Sequence, residues 1–200
     1  MPTPIVERKP CSKCGAMALP STLALTGGLC MPCKNKADEI ANRKEFKMVS
    51  PRLDLELSAV RAMPFFQVCD RVWDLVVNAS YASNFTDPTS NYPESSFAVL
   101  LEEPWRIAYA VHAMEYDVLA GGFRQYFDNQ GDVLNQSVLS GLRLIGATEH
   151  FNIFQDAVSN QEDDAALSAL TSRYYDACKL EDPRELLASY IVANFDRYIS

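Results

Sequence analysis

The sequence of 200 residues contains only two histidines and no long uncharged apolar run. A helix needs about 20 consecutive apolar residues to cross a bilayer, so we expect no membrane-spanning segment and no membrane partner. Residues 1–10 contain Glu7, Arg8 and Lys9 and lack the apolar core of a secretory signal. The sequence therefore predicts a cytoplasmic protein.

Motifs for common catalytic chemistry are also missing: a Gly-x-Ser-x-Gly elbow, a phosphate loop with Gly-Lys-Ser/Thr, and a Gly-x-Gly-x-x-Gly turn after a strand. His112 and Glu115 have the i, i+3 spacing of metal-binding helical bundles, but no second matching helix is visible. We therefore interpret His112 as a partly buried, hydrogen-bonded side chain, and His150 lies far from it in the sequence. Cys69 and Cys178 are expected to be packed thiols. No catalytic residue is predicted, and a non-enzymatic protein is favoured over an enzyme.

Four of the six cysteines form two close pairs. Cys11 and Cys14 form the first pair and Cys30 and Cys33 the second, in the pattern C-x2-C-x15-C-x2-C, which fits a four-thiolate zinc site. A reducing cytoplasm disfavours disulfides. The alternative is a pair of redox-active or free CxxC motifs, but redox motifs normally occur singly on a βαβ pattern. Four thiolates leave no open position on the ion, so the predicted zinc is structural.

The residues around the cysteine pairs predict the rest of a small zinc module. Residues 19–25 are expected to form a short hairpin around Pro20-Ser21, and residues 34–47 are expected to form a polar helix. The order of knuckle, hairpin, second cysteine pair and helix resembles treble-clef and zinc-ribbon modules. Pro51 is expected to end this helix, so the predicted domains are residues 1–49 and residues 50–200.

The two predicted domains carry opposite charge. Residues 1–49 hold eight basic and four acidic side chains, a net charge of +4, whereas residues 50–200 hold 10 basic and 22 acidic side chains, a net charge of −12. The acidic domain is expected to repel nucleic acid and to favour basic partners. Direct contact with nucleic acid is expected only through the first domain, whose candidate phosphate-binding side chains are Lys13, Lys34, Lys36, Arg43, Lys44 and Lys47.

The second domain is predicted to be mainly α-helical, because apolar residues recur at helical spacing and no sustained period-two segment is present. Residues 81–96 are rich in turn-forming residues and are expected to form a loop. The consistent architecture is an irregular helical bundle of about six to eight helices. The predicted helices cover about residues 64–77, 104–119, 133–145, 148–158, 163–178 and 183–198.

Residues 120–129 read Ala-Gly-Gly-Phe-Arg-Gln-Tyr-Phe-Asp-Asn. This segment resembles the Asn-Gly-Gly-Phe-x-Gln-Tyr-Phe-x-Asn signature of the helical domain family of DNA mimic protein 19, and the resemblance covers about residues 55–200. Ala120 departs from the signature, which has Asn at this position. The resemblance implies a protein that occupies a DNA-binding protein through carboxylates that imitate phosphates. The motif residues are Gly121, Gly122, Phe123, Gln125, Tyr126, Phe127 and Asn129.

The same motif has a structural interpretation that needs no ligand. Gly121 and Gly122 allow a sharp turn, and Phe123, Tyr126 and Phe127 form one apolar face of a helix. Aromatic residues at this spacing usually belong to a core, so we favour a structural role over a binding pocket.

The acidic side chains are the candidate binding surface. Those at predicted helix starts can stabilise the helix dipole, and an acidic surface can serve solubility alone. Three hypotheses follow: a module that binds a basic, DNA-binding protein, an adaptor that contacts nucleic acid through residues 1–49, and an enzyme of unknown type. The candidate surface comprises Glu102, Glu103, Asp117, Asp128, Asp132, Glu149, Asp156, Glu162, Asp163 and Asp164.

Overall fold

The computed structural model describes residues 8–12, 16–31, 33–34, 47–87 and 92–199. The chain divides into two compact units, Met1–Glu45 and Phe46–Ser200. No helix within the described ranges is long and apolar enough to cross a membrane.

The first unit contains a small antiparallel hairpin and a short helix. Strand β1 (Lys9–Pro10) pairs with β2 (Met17–Ala18), with Lys9 opposite Ala18. Helix α1 (Pro20–Leu25) follows directly, and Pro20 at its first position presets the helical φ angle. The predicted hairpin at residues 19–25 is therefore wrong in position, because Pro20 starts a helix there and the hairpin flanks the first cysteine pair instead. The predicted helix over residues 34–47 lies almost entirely outside the described residues.

The second unit is a helical bundle, as predicted from the apolar spacing. Several helices begin at or next to a proline, whose missing N–H costs nothing in the first turn. Its described helices are α2 (Leu57–Ala62), α3 (Phe65–Ala82), α4 (Pro93–Ala98), α5 (Glu103–Gln130), α6 (Asn135–Leu144), α7 (Thr148–Ser159), α8 (Asp164–Cys178), α9 (Pro183–Ala193) and α10 (Asp196–Ile199).

Helix α5 is the centre of this bundle. It packs against α3, α4, α6, α8 and α9, and buried residues lie on all of its sides. The predicted loop at residues 81–96 is wrong at both ends, since α3 continues to Ala82 and Pro93 begins α4, of which Phe97 is fully buried. The predicted last helix is divided into α9 and α10, with Asn194 as the C-cap of α9.

The Gly-Gly pair interrupts α5, as the sequence predicted. Gly121 has φ −157° and Gly122 has φ +79° with ψ −177°, so the helical path breaks and resumes at Phe123. The conformation of Gly122 is one that essentially only glycine adopts. A Cβ atom at Gly122 would lie 2.9 Å from Oγ1 of Thr171 on α8. The kink therefore depends on glycine both for backbone angle and for close packing.

Candidate functional site

Three of the four predicted zinc ligands lie together. The Sγ atoms of Cys11, Cys30 and Cys33 are all within 4.8 Å of one another. The backbone N–H of Cys30 donates a hydrogen bond of 3.2 Å to Sγ of Cys11, a contact that stabilises negative charge on sulfur. Sulfurs around a tetrahedral zinc are about 3.8 Å apart, from Zn–S bonds of about 2.3 Å. The cluster is compatible with a metal site, and it is formed across residues distant in the chain.

The backbone around the first cysteine pair supports this arrangement. The N–H of Cys11 donates to the carbonyl of Ala16 and that of Ser12 donates to the carbonyl of Gly28. Gly28 has φ +90°. These bonds hold Cys11 close to the segment that carries Cys30. Cys14 lies outside the described residues, as do Lys13, Lys36, Arg43 and Lys44 of the predicted nucleic-acid-binding set.

In the second unit, the aromatic residues of the Gly-Gly-Phe motif are part of the core. Phe123 and Tyr126 are fully buried, and Phe127 is 9% exposed. Phe123 contacts Tyr174 edge to face, with ring centroids 5.5 Å apart. The backbone N–H of Phe123 donates a hydrogen bond of 3.1 Å to Oγ1 of Thr171. These contacts support the structural interpretation for this half of the motif.

The polar half of the motif builds a different feature. Asp117 is only 3% exposed, and its two carboxylate oxygens accept hydrogen bonds from Nδ2 of Asn129 at 2.7 Å and Nε2 of Gln130 at 2.8 Å. Ser95 of α4 donates to Oε1 of Gln130 at 2.6 Å and lies 3.1 Å from the hydroxyl of Tyr109. This network ties α4 to both ends of α5 and fixes the position of the Asp117 carboxylate.

Above this network lies a cavity of about 410 Å³ between α3, α4 and α5. The ring of Trp73 stacks on that of Tyr116 at an interplanar angle of 17°, with centroids 6.5 Å apart. Gln125 folds over Gly121, where a Cβ atom would overlap with Oε1 of that glutamine. The lining consists of aromatic rings, two carboxylates and three amides, together with one alanine: Trp73, Tyr92, Glu94, Tyr109, Ala113, Tyr116, Asp117, Gln125, Asn129 and Gln130.

A second group of titratable side chains lies in the core around Glu115. This carboxylate is 1% exposed, and Oε1 accepts a hydrogen bond from Tyr174. Arg184 Nε is 3.5 Å from Oε2, but Oε2 has no hydrogen-bond partner among the described residues. Burial raises the pKa of Glu115 to about 7, although the Tyr174 hydrogen bond and the Arg184 charge oppose the rise. Glu115 is thus poised to titrate near neutral pH.

Next to Glu115, the thiol of Cys178 lies 3.6 Å from Nε2 of His150. Burial, followed by the charge of Glu115, raises the pKa of Cys178 to about 12. Burial likewise lowers the pKa of His150. At neutral pH this pair is a thiol and a neutral imidazole, so it does not present the thiolate that nucleophilic catalysis needs.

The remaining thiol and histidine are also buried. Cys69 is 1% exposed, and burial raises the pKa of its thiol to about 12. His112 is 7% exposed, with Nε2 3.4 Å from Asp70, whereas its Nδ1 has no hydrogen-bond partner among the described residues. His112 and Glu115 are not part of a metal-ligand cluster within the described ranges, where Cys11, Cys30 and Cys33 form the one such group.

Many carboxylates of the predicted acidic surface already have partners. Arg173 pairs with Glu149 at 2.7 Å and with Asp156 at 3.4 Å, and Arg197 pairs with Glu103 at 3.4 Å. These cations reduce the negative potential that the three carboxylates present to a partner.

The carboxylates near the start of α8 have local structural roles. Arg124 binds Asp164, and Asp163 caps α8 by accepting from the N–H groups of Ala165 and Ala166 at 3.0 Å. These contacts therefore fit the interpretation that acidic side chains at a helix start stabilise that helix. Glu102 stands at the N-cap position of α5 and is exposed.

Three acidic side chains come together at the end of α5. Asp128, Asp132 and Glu162 line a cavity of about 240 Å³, and all three are exposed. Arg124 lines the same cavity, and its guanidinium is paired with Asp164. Asp132 also accepts a hydrogen bond of 2.9 Å from Nδ2 of Asn135. The sequence did not predict that these acids lie at one cavity. They come together only because the fold brings the turn at Gly131 next to the start of α8.

Residues 100–194 match the family model described as DMP19-like protein. The match lies within the span of about 55–200 expected from the motif resemblance, and it supports that resemblance. It includes the Gly-Gly kink, Asp117 and the acidic cluster at the end of α5. No curated protein and no solved structure matches the chain.

Proposed function

We propose that this chain is a non-enzymatic interaction protein whose acidic helical unit binds a basic protein, specifically a DNA-binding protein. The observation that carries the proposal is the match of residues 100–194 to DMP19-like protein. The family resemblance implies a DNA-mimic role, in which carboxylates occupy the surface that would otherwise contact phosphates. The net charge of −12 over residues 50–200 is of the sign that this role requires.

The cluster of Asp128, Asp132 and Glu162 is the part of the acidic surface that we assign to the partner. Their side chains are exposed and border one cavity, and Arg124, the cation in the same lining, is paired with Asp164. By contrast, Glu149 and Asp156 are already engaged by Arg173. Exposed carboxylates that lie close together concentrate negative potential and steer a cationic surface more effectively than paired ones.

The proposal is tested by affinity purification of the tagged protein from its host at low and at high salt, with identification of retained proteins by mass spectrometry. We expect recovery of a basic DNA-binding protein that is lost at high salt, because salt screens exposed charges. Duplex DNA containing that protein's binding site should compete with the acidic unit. Recovery that is independent of salt and insensitive to DNA would contradict the proposal.

A pair of matched variants localises the contact. Replacing Asp128, Asp132 and Glu162 by the corresponding amides should abolish recovery. A control variant removes the same charge from three other exposed carboxylates of the second unit, Glu56, Asp74 and Glu185. Equal losses in the two variants would show that net charge, and not this cluster, determines binding.

We further propose that Cys11, Cys14, Cys30 and Cys33 hold a structural zinc ion. The proximity of three of these sulfurs and the N–H of Cys30 directed at Cys11 fit a thiolate-bound metal. The ion would stabilise the first unit, which is too small for a sizeable apolar core. Metal analysis of the purified protein should give one zinc per chain, and Cys30→Ser should lose it. Full zinc retention in Cys30→Ser would refute the assignment.

A further inference from the structure

The cavity between α3, α4 and α5 has polar and aromatic features that packing alone does not require. Tyr116 is 68% exposed although it stacks on Trp73, so these two rings form a wall that is open to solvent. The buried Asp117 carboxylate lines the same cavity and is held by Asn129 and Gln130. An aromatic face and a positioned carboxylate are the two elements with which proteins bind organic cations.

The charge of the lining also favours a cation. Glu94 and Asp117 are both carboxylates, and none of the described lining residues is basic. Both carboxylates contribute to raising the pKa of Tyr109, after burial as the main cause, so their field reaches the buried side of the cavity. A ligand that carries positive charge would compensate this field, whereas an anion would be repelled.

The arrangement suits a planar cation better than a compact one. Among the described contacts, each oxygen of Asp117 accepts one amide hydrogen, and a carboxylate oxygen can accept two. A guanidinium group can donate two parallel hydrogen bonds to a carboxylate and stack its flat face on an aromatic ring. A lysine ammonium is more strongly hydrated and cannot stack in this way. The volume of about 410 Å³ falls within the range of ligand sites.

We propose that this cavity binds the guanidinium group of an arginine side chain presented by a protein partner. The identification of the carrier as a protein rests on the proposed function, whereas the preference for guanidinium rests on the cavity itself. Arginine is the side chain with which basic proteins most often contact phosphates bidentately, so a cavity that accepts it would place a DNA-binding surface against the acidic unit.

The test is a titration of the ¹⁵N-labelled full-length protein followed by NMR. The probes are blocked Gly-Arg-Gly, blocked Gly-Lys-Gly and the citrulline analogue, which has the shape of arginine without its charge. The arginine peptide should shift the indole N–H of Trp73 and the side-chain amides of Asn129 and Gln130. Trp105 is only 4% exposed and lies outside the cavity, so its indole N–H provides an internal control.

We expect the lysine peptide to bind more weakly than the arginine peptide, and the citrulline peptide to leave the Trp73 signal unchanged. Equal responses to arginine and citrulline, or no response of Trp73 to arginine, would overturn the proposal. Free arginine is tested as a separate probe. A response to free arginine with none to the blocked peptide would also overturn it, because the ligand would then be a small molecule.

Two exposed tyrosines supply a matched pair of variants. Tyr116→Ala removes one stacked ring and should lower the affinity for the arginine peptide about two- to five-fold, the effect of one exposed cation–π contact. Tyr81 is 70% exposed on α3 and does not line the cavity, so Tyr81→Ala should leave the affinity unchanged. Glu94→Gln should weaken binding as well. Equal affinities for the wild type and Tyr116→Ala would contradict the proposed stacking geometry.

The result also separates this inference from the proposed function. If the arginine peptide binds but no basic protein is recovered from the host, the cavity assignment stands and the proposed function fails. If a basic protein is recovered through Asp128, Asp132 and Glu162 while the arginine peptide has no effect on Trp73, the proposed function stands and the cavity assignment fails.

Discussion

Replacing Glu115 by Gln should change how the stability of the helical unit depends on pH. Burial raises the pKa of Glu115 from an ordinary value of 4.5 to about 7. The folded protein therefore holds a proton that the unfolded chain has already lost at intermediate pH. Glu115 stabilises the fold fully below about pH 4.5, and this contribution is lost as the pH rises through about 7.

The size of the effect follows from the same shift. Each pKa unit corresponds to about 1.4 kcal/mol, so ionisation of Glu115 costs the folded state up to about 3 kcal/mol above pH 7. Glutamine cannot ionise, and its amide oxygen can still accept the Tyr174 hydroxyl. The unfolding free energy of Glu115→Gln relative to the wild type should therefore increase between about pH 5 and pH 8 by up to about 3 kcal/mol.

The assay is urea unfolding of both proteins, followed by the helical circular dichroism signal across this pH range. Buried His112 and His150 act in the opposite direction, because their lowered pKa values stabilise the fold above their ordinary range and this contribution is lost as the pH falls. The difference between variant and wild type cancels these contributions. Glu185→Gln, which removes an exposed carboxylate, is the control and should show no such trend. A difference that stays constant from pH 5 to pH 8 would refute the argument.

Three further predictions concern stability and metal binding. Gly122→Ala should lower the unfolding free energy by at least about 2 kcal/mol in urea titrations, because its φ of +79° is strained for alanine and the new Cβ meets Thr171. Asp163→Ala should cost about 1 kcal/mol in the same assay, because two backbone N–H groups of α8 lose their acceptor. Cys30→Ser should make the first unit sensitive to proteolysis while the helical signal of the second unit persists.

Local sequence patterns predicted much of the fold because they act over short distances. The apolar period of 3.6 residues placed the longer helices of the second unit, and the Gly-Gly pair predicted the interruption in α5. The six-residue helices α2 and α4 were not predicted, because so short a segment shows no clear period. The cysteine spacing predicted a cluster that the structure shows for Cys11, Cys30 and Cys33. The position of the hairpin was wrong, since Pro20-Ser21 suits a tight turn and a helix start equally well.

The polar features could not be predicted because they depend on contacts between distant residues. Asp117 was grouped with the surface acids, yet it is 3% exposed and held by the amides of Asn129 and Gln130. Glu115 meets Tyr174 across 59 positions of sequence. Because α5 is buried on all sides, its apolar spacing does not show which of its carboxylates will be buried. The burial of Asp117 and Glu115, and the raised pKa of Glu115, follow only from the packing of α5 against its neighbours.

Residues of the Gly-Gly-Phe motif contribute both to the core and to the proposed binding cavity. The kink at Gly121 and Gly122 directs Phe123 and Tyr126 into the core, where both are fully buried. On the resumed helix, Gln125 and Asn129 lie on the opposite side and line the cavity with Asp117. The same glycines therefore position both the aromatic core residues and the amides of Asn129 and Gln130 that hold the Asp117 carboxylate. Loss of this kink should impair cavity geometry and stability together, whereas Tyr116→Ala should affect the cavity alone.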